Sequence, residues 1–240
     1  MLSEGYFSAA VYSVRKCPDN GRFRVPLPAL VTASRLGKSM AESVDYYLSL
    51  NSPWTYLGHR RFAELVESHG LTVRVYPVDF AAIIFPATGG LPVGKRSPQR
   101  QAYRLIELER WRKHLGIALN IKPKFWPADE ALAARMVLAA GASGAGDLHL
   151  AGALLRAVWA DERNIADRDT LLAIAKECEL DGEALITMAE TVEMAQRRAT
   201  ESERAIERNV FGAPTYIFTE QLFWGQDRLQ MLARAIEDNS

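Results

Sequence analysis

The chain has 240 residues, 48% hydrophobic and 24% charged, with 29 Lys+Arg against 29 Asp+Glu and a pI near 6.9. That length buries a core as one large domain or two small ones. No apolar run approaches the ~20 residues of a membrane span, and zero net charge speaks against a nucleic-acid partner.

The zero hides two unlike parts. Residues 1–39 hold six bases and two acids, and the remainder holds 23 bases and 27 acids. Pro18, Pro26 and Pro28 break up this first stretch, which shows no helical or strand period. It is expected to be a disordered tail or a mis-assigned start, with Met40 standing where a natural N-terminus would. Its basic, acid-poor composition also fits a transit peptide. Cys17 and Cys178 form neither a Cys-x-x-Cys pair nor a disulfide framework. A reducing, cytoplasmic setting is the expectation.

From residue 40 the pattern sharpens. Val44 to Leu50 is aromatic and β-branched enough for a buried strand. Ser52 and Pro53 then supply an N-cap and an N1 proline for a helix reaching about His69, closed by Gly70. Leu71 to Val78 alternates like a second strand, making a β-α-β unit with parallel strands. Phe85 to Pro98 is rich in Pro and Gly and reads as a long loop. Helices are expected at Gln99–Leu115, Asp129–Ala140, Leu148–Asp161, Asp169–Cys178, Asp181–Ala189 and Val192–Arg208. Thr215–Thr219 and Leu222–Trp224 suggest a hairpin, and Gly225-Gln226-Asp227 would cap a last helix ending at Glu237.

Without the helical block, the order β-α-β then β-β-α is that of a thioredoxin fold. The fold class is therefore α/β, thioredoxin-like, with a large all-helical insertion between the second and third strands. Residues 40–80 and 209–240 would form the thioredoxin-like domain and residues 81–208 the insertion.

In such a fold the reactive group sits at the N-terminus of the first helix, which favours an anion such as a thiolate. Here that position reads Ser52-Pro53-Trp54-Thr55, so dithiol chemistry is excluded there. Ser52 is an N-cap, and it could also donate a hydrogen bond to the thiolate of a bound thiol cofactor. No Ser/His/Asp arrangement is visible to make it a nucleophile. The Ala213–Pro214 bond, opening the third strand, is a candidate cis peptide. Asp227 is either another N-cap or, with nearby backbone amides, a receiver for a ligand's charged end.

Three segments together carry a specific resemblance. They are Asp45-x-x-Leu48-x-x-x-Ser52-Pro53-x-x-Tyr56-Leu57, Asn209-Val210-Phe211-Gly212-Ala213-Pro214-Thr215 and Phe223-Trp224-Gly225-Gln226-Asp227-Arg228-Leu229. They resemble the 2-hydroxychromene-2-carboxylate isomerase family, allied to kappa-class glutathione transferases and DsbA-type oxidoreductases. Tyr103-x-x-x-Glu107-x-x-Arg110-Trp111-x-x-x-Leu115-Gly116-Ile117 is similar to that family's helical insertion.

The resemblance implies glutathione as cofactor, with Ser52 catalytic and Ser52, Val210, Ala213, Pro214, Asp227 and Arg228 holding it. It implies a small aromatic substrate near Trp54, Lys95 and Arg100, and a homodimer. The activity implied is isomerisation by reversible thiolate addition and elimination. Alternatives are a kappa-like transferase or peroxidase, or a non-catalytic glutathione- or peptide-binding protein. The chain departs from the family at Ile84, where the isomerases carry a Lys, and at Gly94-Lys95, near their Asn-Arg pair. Lys95, Arg96 and Arg100 keep that loop basic, while Ile83-Ile84-Phe85 suggests a more hydrophobic substrate. Phe125, Trp126 and Trp159 read as core aromatics or as pocket wall. His59, His69, His114 and His149 show no metal-ligand spacing and read as surface or supporting groups; no metal is expected. Gln196 to Arg208 reads as a solvated helix face, and Cys178 as a small buried hydrophobe.

Overall fold

The structure is a computed structural model that describes residues 42–144 and 146–239. The expectation for residues 1–39 lies outside the described residues. Four strands form one mixed sheet, ordered β2-β1-β3-β4. Strand β1 (Ser43–Leu48) pairs in parallel with β2 (Thr72–Pro77) and antiparallel with β3 (Thr215–Phe218). Strand β4 (Gln221–Trp224) completes the hairpin with β3. This is the thioredoxin arrangement expected from the pattern.

Side-chain alternation along β1 divides the core in two. Val44, Tyr46 and Leu48 join the main cluster, together with Tyr216 and Phe218 of β3. Tyr47 and Ile217 face the opposite side, with Val78, Phe80, Ile84, Ala205 and Val210. Both faces of the sheet are therefore covered. Helix α1 (Pro53–Ser68) lays Leu57, Phe62 and Val66 on the main cluster. Tyr46, Phe62 and Tyr216 meet ring to ring there, with centroids 4.6–5.3 Å apart, a packing that adds to simple area burial.

All described elements between β2 and β3 are helical. Where Phe85–Pro98 was expected to be a loop, the chain instead coils early. A π-helical turn, Phe80–Ile84, is capped by Asp79, whose carboxylate accepts from the Ala82 N–H at 2.8 Å. It runs into α2 (Phe85–Thr88), and a 3₁₀ turn follows at Val93–Lys95. Burial of Phe80 and Ile84 in the second cluster drives this coiling. Ile84 therefore points into the core and lines no substrate pocket.

The remaining insertion helices are α3 (Pro98–Leu115), α4 (Ala131–Ala142), α5 (Asp147–Trp159), α6 (Arg168–Glu177), α7 (Gly182–Ala189) and α8 (Val192–Glu207). They fall within about two residues of the expected bounds. Ser97, Asp167, Asp181 and Thr191 cap four of them with side-chain oxygens. The last helix differs. Residues Gln226–Arg228 form a 3₁₀ turn and α9 spans Leu229–Glu237, so Asp227 caps no helix.

Two readings of polar residues change. The run on α8 is not merely a solvated face, because Arg198 and Ser202 are buried. Arg198 donates to the carbonyl of Pro77 at 3.1 Å and pairs with Asp79 at 3.3 Å. His59 is not a surface group either: it is buried, with Nδ1 3.2 Å from the Tyr46 hydroxyl. His69, His114 and His149 are exposed. Cys178 is half-buried against the main cluster.

Candidate active site at the start of helix α1

Ser52 has extended backbone, and its hydroxyl accepts from the Thr55 N–H at 3.2 Å. Pro53 occupies N1, where a missing N–H costs nothing. The cap is real, and it leaves the hydroxyl proton available. That proton is donated to the carbonyl of Ala213 at 3.3 Å, across 161 residues of sequence. The Ala213–Pro214 peptide is cis. The helix start and the segment entering β3 are thus directly linked.

The turn before Ser52 is held from below. Glu130 accepts from the Ser49 hydroxyl at 3.0 and 2.9 Å and from the Asn51 N–H at 2.9 Å. Arg198 lies 3.7 Å from the same carboxylate. Burial pushes the Glu130 carboxyl up from its ordinary pKa, against the pull of Arg198 and these hydrogen bonds. Asn51 exchanges side-chain hydrogen bonds with the backbone of Ala128 at 2.9 and 3.0 Å. The Trp126 indole donates to the Asn51 carbonyl at 2.9 Å, and the Trp159 indole donates to that of Leu50 at 3.0 Å. These two tryptophans act as braces for the Ser52 turn, Trp159 being wholly buried.

The third segment packs beside α1. Gln226 is buried, and its side chain and carbonyl both accept from Arg61, the latter at 3.2 Å. Gly58 permits this approach, since a β-carbon there would lie 2.7 Å from Gln226 Cβ. Asp227 and Arg228 stand half-exposed and pair with each other at 3.4 Å. Gly225 has φ 105°, and its N–H donates to the Pro214 carbonyl at 2.9 Å. The Ala213–Pro214 segment and the 225–228 turn are therefore adjacent.

Of the expected site residues, Ser52, Ala213, Pro214, Asp227 and Arg228 gather around this corner. Val210 sits just behind it, with its side chain in the second cluster and its N–H given to the Ala205 carbonyl. A ligand contact at Val210 is left to its carbonyl. Trp54 is half-buried on α1, while Lys95, in the 3₁₀ turn before α3, and Arg100, in the first turn of α3, are exposed. Residues missed from the sequence are Glu130, Arg61 and Arg104, none of which stands in a local motif, while the packing of Gln226 on α1 was not anticipated from the motif that contains it. Gly58, mid-helix, was the one available signal of a close approach.

These features define a thioredoxin-like protein whose first helix is capped by a serine, Ser52. The family model of the DSBA-like thioredoxin domain matches residues 43–237. A 2-hydroxychromene-2-carboxylate isomerase of Pseudomonas putida is 30% identical over 196 residues, covering 80% of this chain and 93% of that protein. One from Sphingobium xenophagum is 25% identical over 199 residues, covering 83% of this chain and 100% of the relative. The chain belongs to the 2-hydroxychromene-2-carboxylate isomerase family within the DsbA-like proteins, and these relatives support an enzyme, an isomerase. A solved 2-hydroxychromene-2-carboxylate isomerase superposes with a TM-score of 0.70 at 24% identity, over 82% of this chain and 95% of that one. The cytosolic disulfide reductase DsbM from Pseudomonas aeruginosa, solved with GSH, superposes with a TM-score of 0.59 at 21% identity, over 82% and 98%. Both show the fold. Among the described residues no helix is long and apolar enough to cross a membrane.

Proposed function

We propose that the chain is a glutathione-dependent isomerase acting on 2-hydroxychromene-2-carboxylate or a related unsaturated intermediate of aromatic catabolism. The observation that carries this reading is the Ser52 hydroxyl, set at a helix N-terminus 3.3 Å from the Ala213 carbonyl. The donor set fits a γ-glutamyl tripeptide thiol. On binding, the Ser52 hydroxyl proton turns from the Ala213 carbonyl to a thiolate, and the first turn of α1 adds its positive end. The Ala213 backbone offers strand-like pairing to the peptide. Asp227 suits the α-amino group of the γ-glutamyl end, and Arg228 with the adjoining amides suits its carboxylate.

When bound, glutathione supplies a thiolate that adds to an unsaturated carbon and leaves again, so that a former double bond rotates as a single one. Ser52 holds the sulfur as an anion before addition and after departure. Ser52 neither gains nor loses a proton, and the cofactor would be regenerated because the C–S bond formed on addition is broken on elimination. The small aromatic substrate lies between Trp54 and the basic start of α3, where Lys95 and Arg100 face its anionic groups. A cytoplasmic location and a homodimer accompany this reading.

A kappa-like glutathione transferase is the second reading. Ile84, aligned with the isomerases' substrate Lys, is buried in the second core cluster. Assay of isomerisation and of conjugation, each with wild type and Ser52→Ala, separates the two. Isomerisation is expected to fall ~10²–10³-fold in the alanine variant, the usual loss for one transition-state donor. Conjugation without isomerisation in wild type favours the transferase. A fully active alanine variant removes Ser52 from either role.

A further inference from the structure

Helix α3 buries a cation that nothing described in the protein neutralises. Arg104 is 7% exposed, and its Nη2 is buried with no hydrogen-bond acceptor among the described residues. Its guanidinium carbon lies 4.7 Å from the Trp126 ring centroid and 6.0 Å from that of Trp159. The charge felt at Arg104 is that of another cation, Arg96, which in turn feels Arg100. The acids of α3 are engaged elsewhere: Glu107 pairs with Arg110, and Glu109 with Arg112 and Lys113. Burial pushes Arg104 down to about 10, so it stays protonated at neutral pH.

A buried charge without a partner is costly, and native proteins keep one only with compensation. The Trp126 face compensates in part through a cation–π contact. It cannot satisfy the in-plane N–H groups, which form a planar fork suited to a carboxylate. Position supplies the rest. The same indole donates to the Asn51 carbonyl at 2.9 Å, which puts the guanidinium one ring away from the residue preceding Ser52. We propose that Arg104, backed by Trp126, is a carboxylate subsite beside the Ser52 turn that receives the acid group of an aromatic substrate. Arg96, in the extended link before α3, and Arg100, in its first turn, form a basic approach to it. The assignment deepens the isomerase reading by naming the substrate's carboxylate contact, and it accounts for recognition of an acid despite Ile84.

The test uses the full chain and needs no glutathione. Salicylate and its uncharged analogue salicylamide are titrated by calorimetry into wild type, Arg104→Gln, Arg104→Lys and, as control, Arg110→Gln. Wild type and the control are expected to prefer salicylate by ~10-fold or more, the range for charge-assisted hydrogen bonds. Arg104→Gln should lose that preference, and Arg104→Lys, lacking the fork, should keep only part of it. Glutathione affinity should be equal in all four proteins. An undiminished preference in both Arg104 variants overturns the subsite. So does wild type that binds no salicylate at millimolar concentration. Should Arg104→Gln not fold, Arg104→Lys decides alone. Arg104-dependent salicylate binding in a protein that ignores glutathione would leave the subsite standing and remove the isomerase reading.

Discussion

Glu130 and His59 show how much of this protein's polarity is invested below its surface. Removing Glu130 leaves the Asn51 N–H with only the Ser49 hydroxyl at 3.2 Å, takes the acceptor from that hydroxyl, and leaves Arg198 with Asp79 as its remaining acid partner. Glu130→Ala is expected to destabilise the chain by ~3 kcal/mol, the lower end for breaking a buried pair, while Glu130→Gln, which keeps an acceptor, should lose less. Denaturant unfolding of the two variants checks this, and isomerase activity should fall in the same order because the Ser52 turn loosens. His59 makes a pH prediction. Burial holds it at about 4, below its ordinary 6.5. It is neutral in the fold, whereas the unfolded chain takes up a proton below about 6.5. Stability should therefore decline as pH drops from about 6.5 to about 4, by ~3 kcal/mol at 1.36 kcal/mol per unit. NMR titration of the His59 ring reads the cause directly; a midpoint near 6.5 would refute it.

At the scale of elements, α1 is the piece on which the site depends, since its first turn carries Ser52 and its middle seats the 225–228 turn. Gly58→Ala sets two effects against each other. Alanine improves helix propensity by about 1 kcal/mol. Its β-carbon would also meet Gln226 Cβ at 2.7 Å and the Tyr216 hydroxyl at 3.1 Å, and such overpacking costs about 1–3 kcal/mol. The collision should win, lowering the unfolding midpoint and weakening glutathione binding through displacement of Asp227. An unchanged glutathione affinity would separate that turn from the cofactor. Asp45 ties the sheet to its surroundings: buried on β1, it pairs with Arg74 of β2 and with Arg208 just beyond α8. Asp45→Asn is expected to cost ~2–3 kcal/mol in denaturant unfolding. This is less than a fully buried pair, because Arg74 is half-exposed and can turn to water.

Across the whole molecule, what could be read from the sequence was what local chemistry decides. Ser52-Pro53 announces a helix start because the cap and the N1 proline are neighbours in the chain. The aromatic and β-branched run Val44–Leu50 announces a buried strand for the same reason. The π-helical turn at Phe80 escaped because Pro and Gly just beyond it suggested a loop, while the second core cluster rewards coiling. Arg198, Arg104 and His59 escaped because a charged or polar side chain looks solvent-facing until distant elements enclose it. Asp227 looked like an N-cap because the 3₁₀ turn that displaces the helix start is set by Gln226 packing on Gly58. The charge imbalance is sharper too: against an acidic background, Lys95, Arg96, Arg100 and Arg104 concentrate cations along α3 and the turn before it. The central claim is that Ser52 stabilises the thiolate of bound glutathione, and thiolate absorbance at 240 nm tests it most directly. In a pH titration of the saturated wild-type complex, the thiol should ionise at least about one unit below its ordinary ~8.5, and Ser52→Ala should return it toward that value. An unshifted thiol in wild type, or no binding at millimolar glutathione, would contradict the account.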